Sequence, residues 1–324
     1  MSASRVATNA VAVAPRPLSG PKLPPSRTVK VRAADGTRLH TEVFGPEDGY
    51  PIVLAHGITC AIRVWHEQIN DLSRDHRVIA YDHRGHGRSG LPHRSAYSLD
   101  HLASDLDAVL AATLRPGERA VIAGHSMGGI AISSWAERHR DRVAERADAV
   151  ALINTTTGDL LEKINLLRVP AMLSAGRSNA ARRMIKTFGG APLFRGAQPG
   201  SRWFVTLMAV GAEADPAIAD FVHELFATTP PAGRGAWARV LVEEMGPRHI
   251  DLSGLSVPTL VIGSQKDRLL PMCQARKIAQ AAPNLVDLVE VPGGHCAILE
   301  HPEVVNGHLR SLVESVLAER RISS

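Results

Sequence analysis

Six short apolar runs constrain this chain more than any other feature. They are Ile52 to Ala55, Val78 to Tyr81, Ala120 to Ala123, Val150 to Ile153, Thr259 to Ile262 and Val286 to Val291, each bounded by Gly, Pro, Asp or Asn. Continuous hydrophobicity over so short a length suits strands buried on both faces of a parallel sheet. Between several of them the period changes to that of a helix: Leu99, Leu102, Leu106, Val109 and Leu110 share one face at three- and four-residue spacing. Strand alternating with helix predicts a wound α/β fold, a mostly parallel central sheet flanked by helices. Ahead of it, Val29 and Val31, then Leu39, Thr41 and Val43, fit a β-hairpin turning at Asp35-Gly36.

The alternation stops between about Gly158 and Asp251. Helical pieces are expected there near Asn179 to Phe188, Ser201 to Val210, Pro216 to Ala227 and Gly235 to Met245, separated by Gly-Gly, Gln-Pro-Gly and Pro-Pro breaks. A helical insertion between two sheet strands has to sit at one end of the sheet, so residues 158–251 are expected to form a cap over the carboxyl ends of the strands. The core domain is then 28–157 and 252–324. Residues 1–27 carry Pro15, Pro17, Pro21, Pro24 and Pro25 among small and basic residues and are expected to be a disordered tail. Val6 to Ala14 faintly resembles the apolar region of a signal peptide, but Thr8 and Asn9 interrupt it and leucine is lacking. A cytoplasmic location is expected, with export or attachment to the cell envelope as the alternative.

A chain of 324 residues, 44% hydrophobic and 21% charged, can bury a sizeable core. Its formal charge is +5, and Arg5, Arg16, Lys22 and Arg27 put four positive charges in the tail. The body is near neutral, so no nucleic-acid partner is expected. Cys60, Cys273 and Cys296 are odd in number and far apart, which opposes a disulfide framework or a CxxC site and favours small buried thiols. No apolar stretch is long enough to span a membrane.

The strongest chemical signal is Gly124-His125-Ser126-Met127-Gly128-Gly129, directly after the run Ala120 to Ala123 and before the helix-compatible Ile130 to Arg138. A serine at a sharp strand-to-helix turn is forced into strained geometry, and glycines two residues to either side leave room for it. Ser126 is the expected nucleophile. His56-Gly57 closes the first apolar run, so the Ile58 N–H can point where the Met127 N–H does, and two such donors make an oxyanion hole. Asp267 follows the run ending at Ile262, and His295 follows the run ending at Val291 in Gly293-Gly294-His295. Both leave strand carboxyl ends, and the chain order Ser, Asp, His fits orienting acid and general base. Asp159, after the run ending at Ile153, is the rival acid.

On these residues the chain resembles the α/β-hydrolase superfamily over roughly residues 28 to 320, as a serine esterase or lipase-like member. Tyr81-Asp82-His83-Arg84-Gly85-His86-Gly87-Arg88-Ser89 is similar to the family's D-x-R-G-x-G-x-S stretch, and Gly294-His295-Cys296 with Glu300-His301-Pro302-Glu303 to its segment from catalytic histidine into the last helix. The resemblance implies that the first stretch is structural, so Asp82, Arg84 and His86 receive no catalytic role. His83 and His86 lack further ligands for a metal. A serine at the elbow, where epoxide hydrolases and haloalkane dehalogenases of the superfamily carry aspartate, suits acyl transfer.

The cap holds more apolar side chains than four short helices need on one face, Trp203 among them. A small apolar ester or lipid is the expected substrate, with His56, Gly57, Trp65 and Trp203 as provisional pocket residues. Thioester, peracid and C–C bond chemistry use the same triad, and a small-molecule receptor on the same scaffold is the non-enzymatic alternative. No phosphate loop or dinucleotide fingerprint occurs, so no cofactor is implied. From Asn165 to Gly211 there are basic residues, Arg182, Arg183 and Lys186 among them, but no aspartate or glutamate. Peripheral contact with an anionic membrane through this basic cap is a further expectation.

Overall fold

The computed structural model describes residues 21–160, 183, 190 and 198–323. Each of the six apolar runs lies in a strand, and with the hairpin they make an eight-stranded sheet: β1 (Ser26–Arg32), β2 (Arg38–Phe44), β3 (Tyr50–Ala55), β4 (His76–Tyr81), β5 (Ala120–His125), β6 (Ala147–Ile153), β7 (Thr259–Ser264) and β8 (Leu285–Val291). The spatial order is β1-β2-β4-β3-β5-β6-β7-β8. β2 runs antiparallel to both β1 and β4, and every other pairing is parallel.

The two-residue period of the strands sorts their side chains between two cores. Ile52, Leu54 and Ala123 face one apolar cluster with Trp65, Ile69, Leu72, Leu309 and Val313, supplied in part by helices His66–Leu72 and Pro302–Ser323. Val53, Ala55 and Ile122 face the other, with Leu106, Leu110, Ile132, Trp135 and Ile278 from helices Leu99–Thr113, Met127–Arg138 and Met272–Ala281. Full burial of one such large side chain stabilises by about 1.5–3 kcal/mol. The central strands are therefore the rigid element from which site residues project.

Two expectations need correction. The run Val286 to Val291 forms β8 at the sheet edge, where Val286 is 56% exposed, so it is not buried on both faces. Asp287 and Glu290 within it suit an edge, where charge discourages pairing with another chain. At the other edge, β1 begins at Ser26, opposite Phe44, inside the stretch 1–27 assigned to the tail. Ser26 and Arg27 are exposed there, so their polarity hid the strand. Residues 1–20 of that tail lie outside the described residues.

In the expected cap interval the described residues form helices Gln198–Ala209, Pro216–Thr228 and Pro231–Glu244 and no strand. Two segments read as breaks are helix starts: Gln198-Pro199-Gly200 opens the first helix, and Pro231 opens the third after Pro230. Proline is tolerated in a first turn because its missing N–H would have no intrahelical acceptor there. The Trp237 indole N–H donates to the Arg84 carbonyl at 2.9 Å and ties the third helix to the core. The basic helix expected near Asn179 to Phe188, on which the membrane expectation rests, falls almost wholly outside the described residues. No helix among the described residues is long and apolar enough to cross a membrane.

From β3 the chain passes to β4 on one side and then to β5 on the other. Such a reversal opens a crevice at the carboxyl ends of the strands. Gly57 leaves one wall of it and Ser126 the other.

Candidate active site

Ser126 sits between β5 and helix Met127–Arg138 with φ 53° and ψ −117°, a left-handed conformation for a non-glycine residue. Its N–H donates to the Ile153 carbonyl of β6 at 3.0 Å, which pins the turn. The flanking glycines are required by close approach. A β-carbon on Gly128 would lie 1.9 Å from the Ala55 carbonyl oxygen, and one on Gly124 would lie 2.4 Å from the Gly128 carbonyl carbon. Gly57 answers to the same crowding, since its β-carbon would lie 3.1 Å from Cβ of Ser126. The turn after β3 and the serine thus lie close together. Met127 occupies the first position of its helix, where an N–H has no intrahelical acceptor.

His295 and Asp267 meet. The His295 Nδ1–H donates to Asp267 Oδ2 at 2.8 Å. The same oxygen accepts Asn154 Nδ2–H at 3.0 Å, while Oδ1 accepts the Leu269 and Leu270 N–H groups at 2.9 and 2.8 Å. Four donors fix the carboxylate and leave it no other orientation that satisfies them all. Asp159 is elsewhere: Oδ2 pairs with His249 Nε2 at 3.1 Å and with Lys277 Nζ at 2.6 Å. These partners hold its pKa below the usual carboxylate value against the opposing effect of burial. The rival acid is therefore a partner of His249, not of His295.

Three residues join the site without having been singled out. His125 donates Nε2–H to the His295 carbonyl at 2.8 Å, with ring centroids 4.9 Å apart, and so links the residue before Ser126 to the histidine loop. Asn154 positions Asp267 from the end of β6. Glu300 Oε2 accepts the N–H groups of Gly211 and Gly294 at 3.0 and 2.9 Å, and Cys296 N–H donates to the Ala209 carbonyl at 3.0 Å. The end of helix Gln198–Ala209 is thereby fastened to the loop carrying His295. In sequence Asn154 had only one local signal, an Asn just after a strand, a residue type that tolerates the left-handed φ of 43° found there.

The provisional pocket residues separate. Gly57 lies against Ser126, but His56 is fully buried with both ring nitrogens engaged inside the protein, to the Gly57 carbonyl and the His83 N–H. Trp65 is also fully buried, edge-on to His125 at 6.3 Å. Neither ring offers a free face to a pocket. Trp203 is 65% exposed on helix Gln198–Ala209, beside the exposed Phe204.

The Asp82-to-Ser89 stretch is a scaffold. Asp82 accepts the Ile62 and Arg88 N–H groups at 2.8 Å each, and Arg84 makes two 2.6 Å bonds to buried Asp105. Among the described residues no three His, Cys, Asp or Glu side chains converge to hold a metal ion. Cys60 and Cys296 are buried free thiols, and burial raises the Cys60 pKa to about 12. Cys273, expected to be buried, is exposed on the first turn of helix Met272–Ala281.

Residues 50–302 match the family described as the alpha/beta hydrolase fold. The chain is 29% identical over 292 residues to a non-heme chloroperoxidase from Streptomyces lividans, covering 88% of this chain and 99% of that protein. It is also 29% identical over 283 residues to a Variovorax paradoxus protein named as a carbamate hydrolase, covering 86% and 97%. Among solved structures, an enol-lactonase from Burkholderia xenovorans superposes with a TM-score of 0.68 at 23% identity, covering 90% of this chain and 100% of that one. An esterase from Rhodococcus sp. gives 0.71 at 23% identity, covering 89% and 99%. With the family match spanning most of its length, the chain belongs to the alpha/beta hydrolase fold family and is a hydrolase of that fold.

Proposed function

We propose that this protein cleaves carboxylic esters of apolar acyl groups through an acyl-enzyme on Ser126. The observation that carries the reading is a strained elbow serine on the same edge of the sheet as a hydrogen-bonded His295–Asp267 pair. Because Nδ1 of His295 donates to Asp267, Nε2 of the neutral ring is bare and free to accept the serine proton. Ser126 Oγ then attacks the ester carbonyl carbon, and the Ile58 and Met127 N–H groups receive the negative charge that develops on its oxygen. His295 returns the proton to the departing alcohol. A water molecule, deprotonated by the same nitrogen, then releases the acid and restores the serine.

The test is hydrolysis of p-nitrophenyl esters of increasing acyl length by wild type and Ser126→Ala. The reading expects turnover to fall by about 10⁴-fold or more in the variant with unchanged circular dichroism. Retained activity would remove Ser126 as the nucleophile. A second reading is favoured by the relative named as a non-heme chloroperoxidase: hydrogen peroxide takes the place of water, and the acyl-enzyme yields a peracid. Peroxide-dependent halide oxidation in the presence of a short carboxylic acid distinguishes it from plain hydrolysis.

A further inference from the structure

Three histidines outside the proton transfer surround the turn Gly57 to Thr59, and all three are fully buried: His56, His83 and His86. Their bonds define which nitrogen carries each proton. The His83 backbone N–H can only donate, and it donates to His56 Nε2 at 3.0 Å. That nitrogen is therefore bare, and the proton of the neutral ring sits on Nδ1, from which it is donated to the Gly57 carbonyl at 2.7 Å. In His86 the same logic holds: Nε2 accepts the Thr59 N–H at 3.0 Å, and Nδ1–H donates to the Arg84 carbonyl at 3.2 Å. His83 Nε2–H closes the set on the His56 carbonyl at 2.9 Å. Burial keeps the rings neutral, holding His83 near about 3, His86 near about 4 and His56 well below the ordinary value.

The Gly57 carbonyl and the Ile58 N–H belong to one planar peptide unit. A donor on its oxygen fixes the rotation of that plane and polarises the amide, which strengthens the N–H at its other end. The next residue, Thr59, is held at φ 61°, an outlying conformation for a β-branched side chain, and His86 grips its N–H. A β-carbon on Gly57 would lie 3.1 Å from Cβ of Ser126, so the turn has little room to move toward the serine.

We propose that His56 and His86 are positioning residues for the oxyanion donor: they clamp the turn from both sides so that the Ile58 N–H faces the carbonyl oxygen of a substrate on Ser126. This rests on the serine-hydrolase reading above. A purely packing role would require neither the tautomers nor the two directed bonds.

The wild-type protein tests it first, by two-dimensional ¹⁵N–¹H spectra of the imidazoles. Both rings should be protonated on Nδ1, and Nε2–H on either one overturns the proposal. His86→Phe then keeps a flat ring without the acceptor, and His86→Gln keeps an acceptor. His86→Phe should lose about 10- to 100-fold in kcat, part of the effect of deleting an oxyanion donor, with KM within about twofold. In a stalled cinnamoyl-enzyme its acyl carbonyl infrared band should move to higher frequency, as weaker hydrogen bonding requires, and His86→Gln should recover most of both. His56→Asn, which keeps an N–H for the Gly57 carbonyl, should likewise outperform His56→Leu. Folded variants with a lower Tm but unchanged kcat and carbonyl band would show that the histidines only pack. If the wild type forms no acyl-enzyme at Ser126, the underlying reading fails rather than the clamp alone.

Discussion

Replacing Asp267 by asparagine turns one oxygen of a four-bonded carboxylate into an amino group. Every neighbour is a donor: His295 Nδ1–H and Asn154 Nδ2–H on one oxygen, Leu269 and Leu270 N–H on the other. An amino group toward the backbone would confront two N–H groups that cannot reverse, forfeiting two charge-assisted bonds of about 1.5–3 kcal/mol each. Turned toward His295 it meets a ring that can change tautomer and an Asn154 amide that can flip to present its oxygen, so the amide settles there. Nδ1 then accepts, Nε2 carries the proton, and the ring can no longer take one from Ser126. The expected loss in kcat is about 10⁴-fold, or about 5.5 kcal/mol of barrier. The fold should persist at a cost of about 1–3 kcal/mol. Steady-state hydrolysis and thermal melts measure the two effects, with Asp159→Asn as the comparison. That variant should lower Tm by breaking the pairs to His249 and Lys277 while leaving kcat within about threefold. Activity of Asp267→Asn within about tenfold of wild type, or an Asp159→Asn that is the more damaged of the two, would show that Asp267 does not fix the His295 tautomer.

Gly128→Ala should cost at least about 3 kcal/mol or roughly 5 °C in Tm, since the added carbon would lie 1.9 Å from the Ala55 carbonyl oxygen. A normal melt with full activity would contradict the packing of the elbow. Acid should destabilise the fold well before carboxylates titrate. Burial holds His83, His86 and His125 near about 3, 4 and 3 against an ordinary value of 6.5, so all three bind protons only after unfolding. Their contribution is complete above about pH 6.5 and falls as pH drops toward about 4, by about 1.4 kcal/mol per pH unit for each ring. Urea midpoints from about pH 7 to 5 should slope accordingly, less steeply in His86→Phe, and a flat profile would be the contrary result. Asp35 acts lower down: the Thr37 N–H and Arg84 outweigh burial and bring it to about 2 from 3.8, so its contribution is lost as pH falls between those values. Asp35→Asn should lose less stability than wild type across that window, judged by the same midpoints.

Strands with both faces buried announce themselves by continuous apolar runs, and an elbow by glycines that no other residue can replace. For this reason the sheet and the turn at Ser126 were legible in the sequence, while Asp267 and His295 stood out as candidates only by their places after strand ends. Their environment was not legible there. Asn154 and Asp267 are 113 residues apart and His125 and His295 are 170 apart, so these bonds exist only after the sheet orders its strands. The run in β8 looks like its neighbours because apolar content does not record which strand ends up at the edge. His56, read as a pocket residue from its place after β3, faces inward because His83 offers it an N–H. Trp203 was apolar enough for a pocket wall, yet it lies on the solvent side of its helix.

A fluorophosphonate probe reads directly whether Ser126 is a nucleophile activated by His295. Incubation of the whole protein with the probe, followed by proteolysis and mass mapping, should place a single phosphonyl group on Ser126. The modification should vanish in Ser126→Ala and slow by orders of magnitude in Asp267→Asn. Labelling at another residue, or none in a folded protein that still hydrolyses esters, would contradict that role.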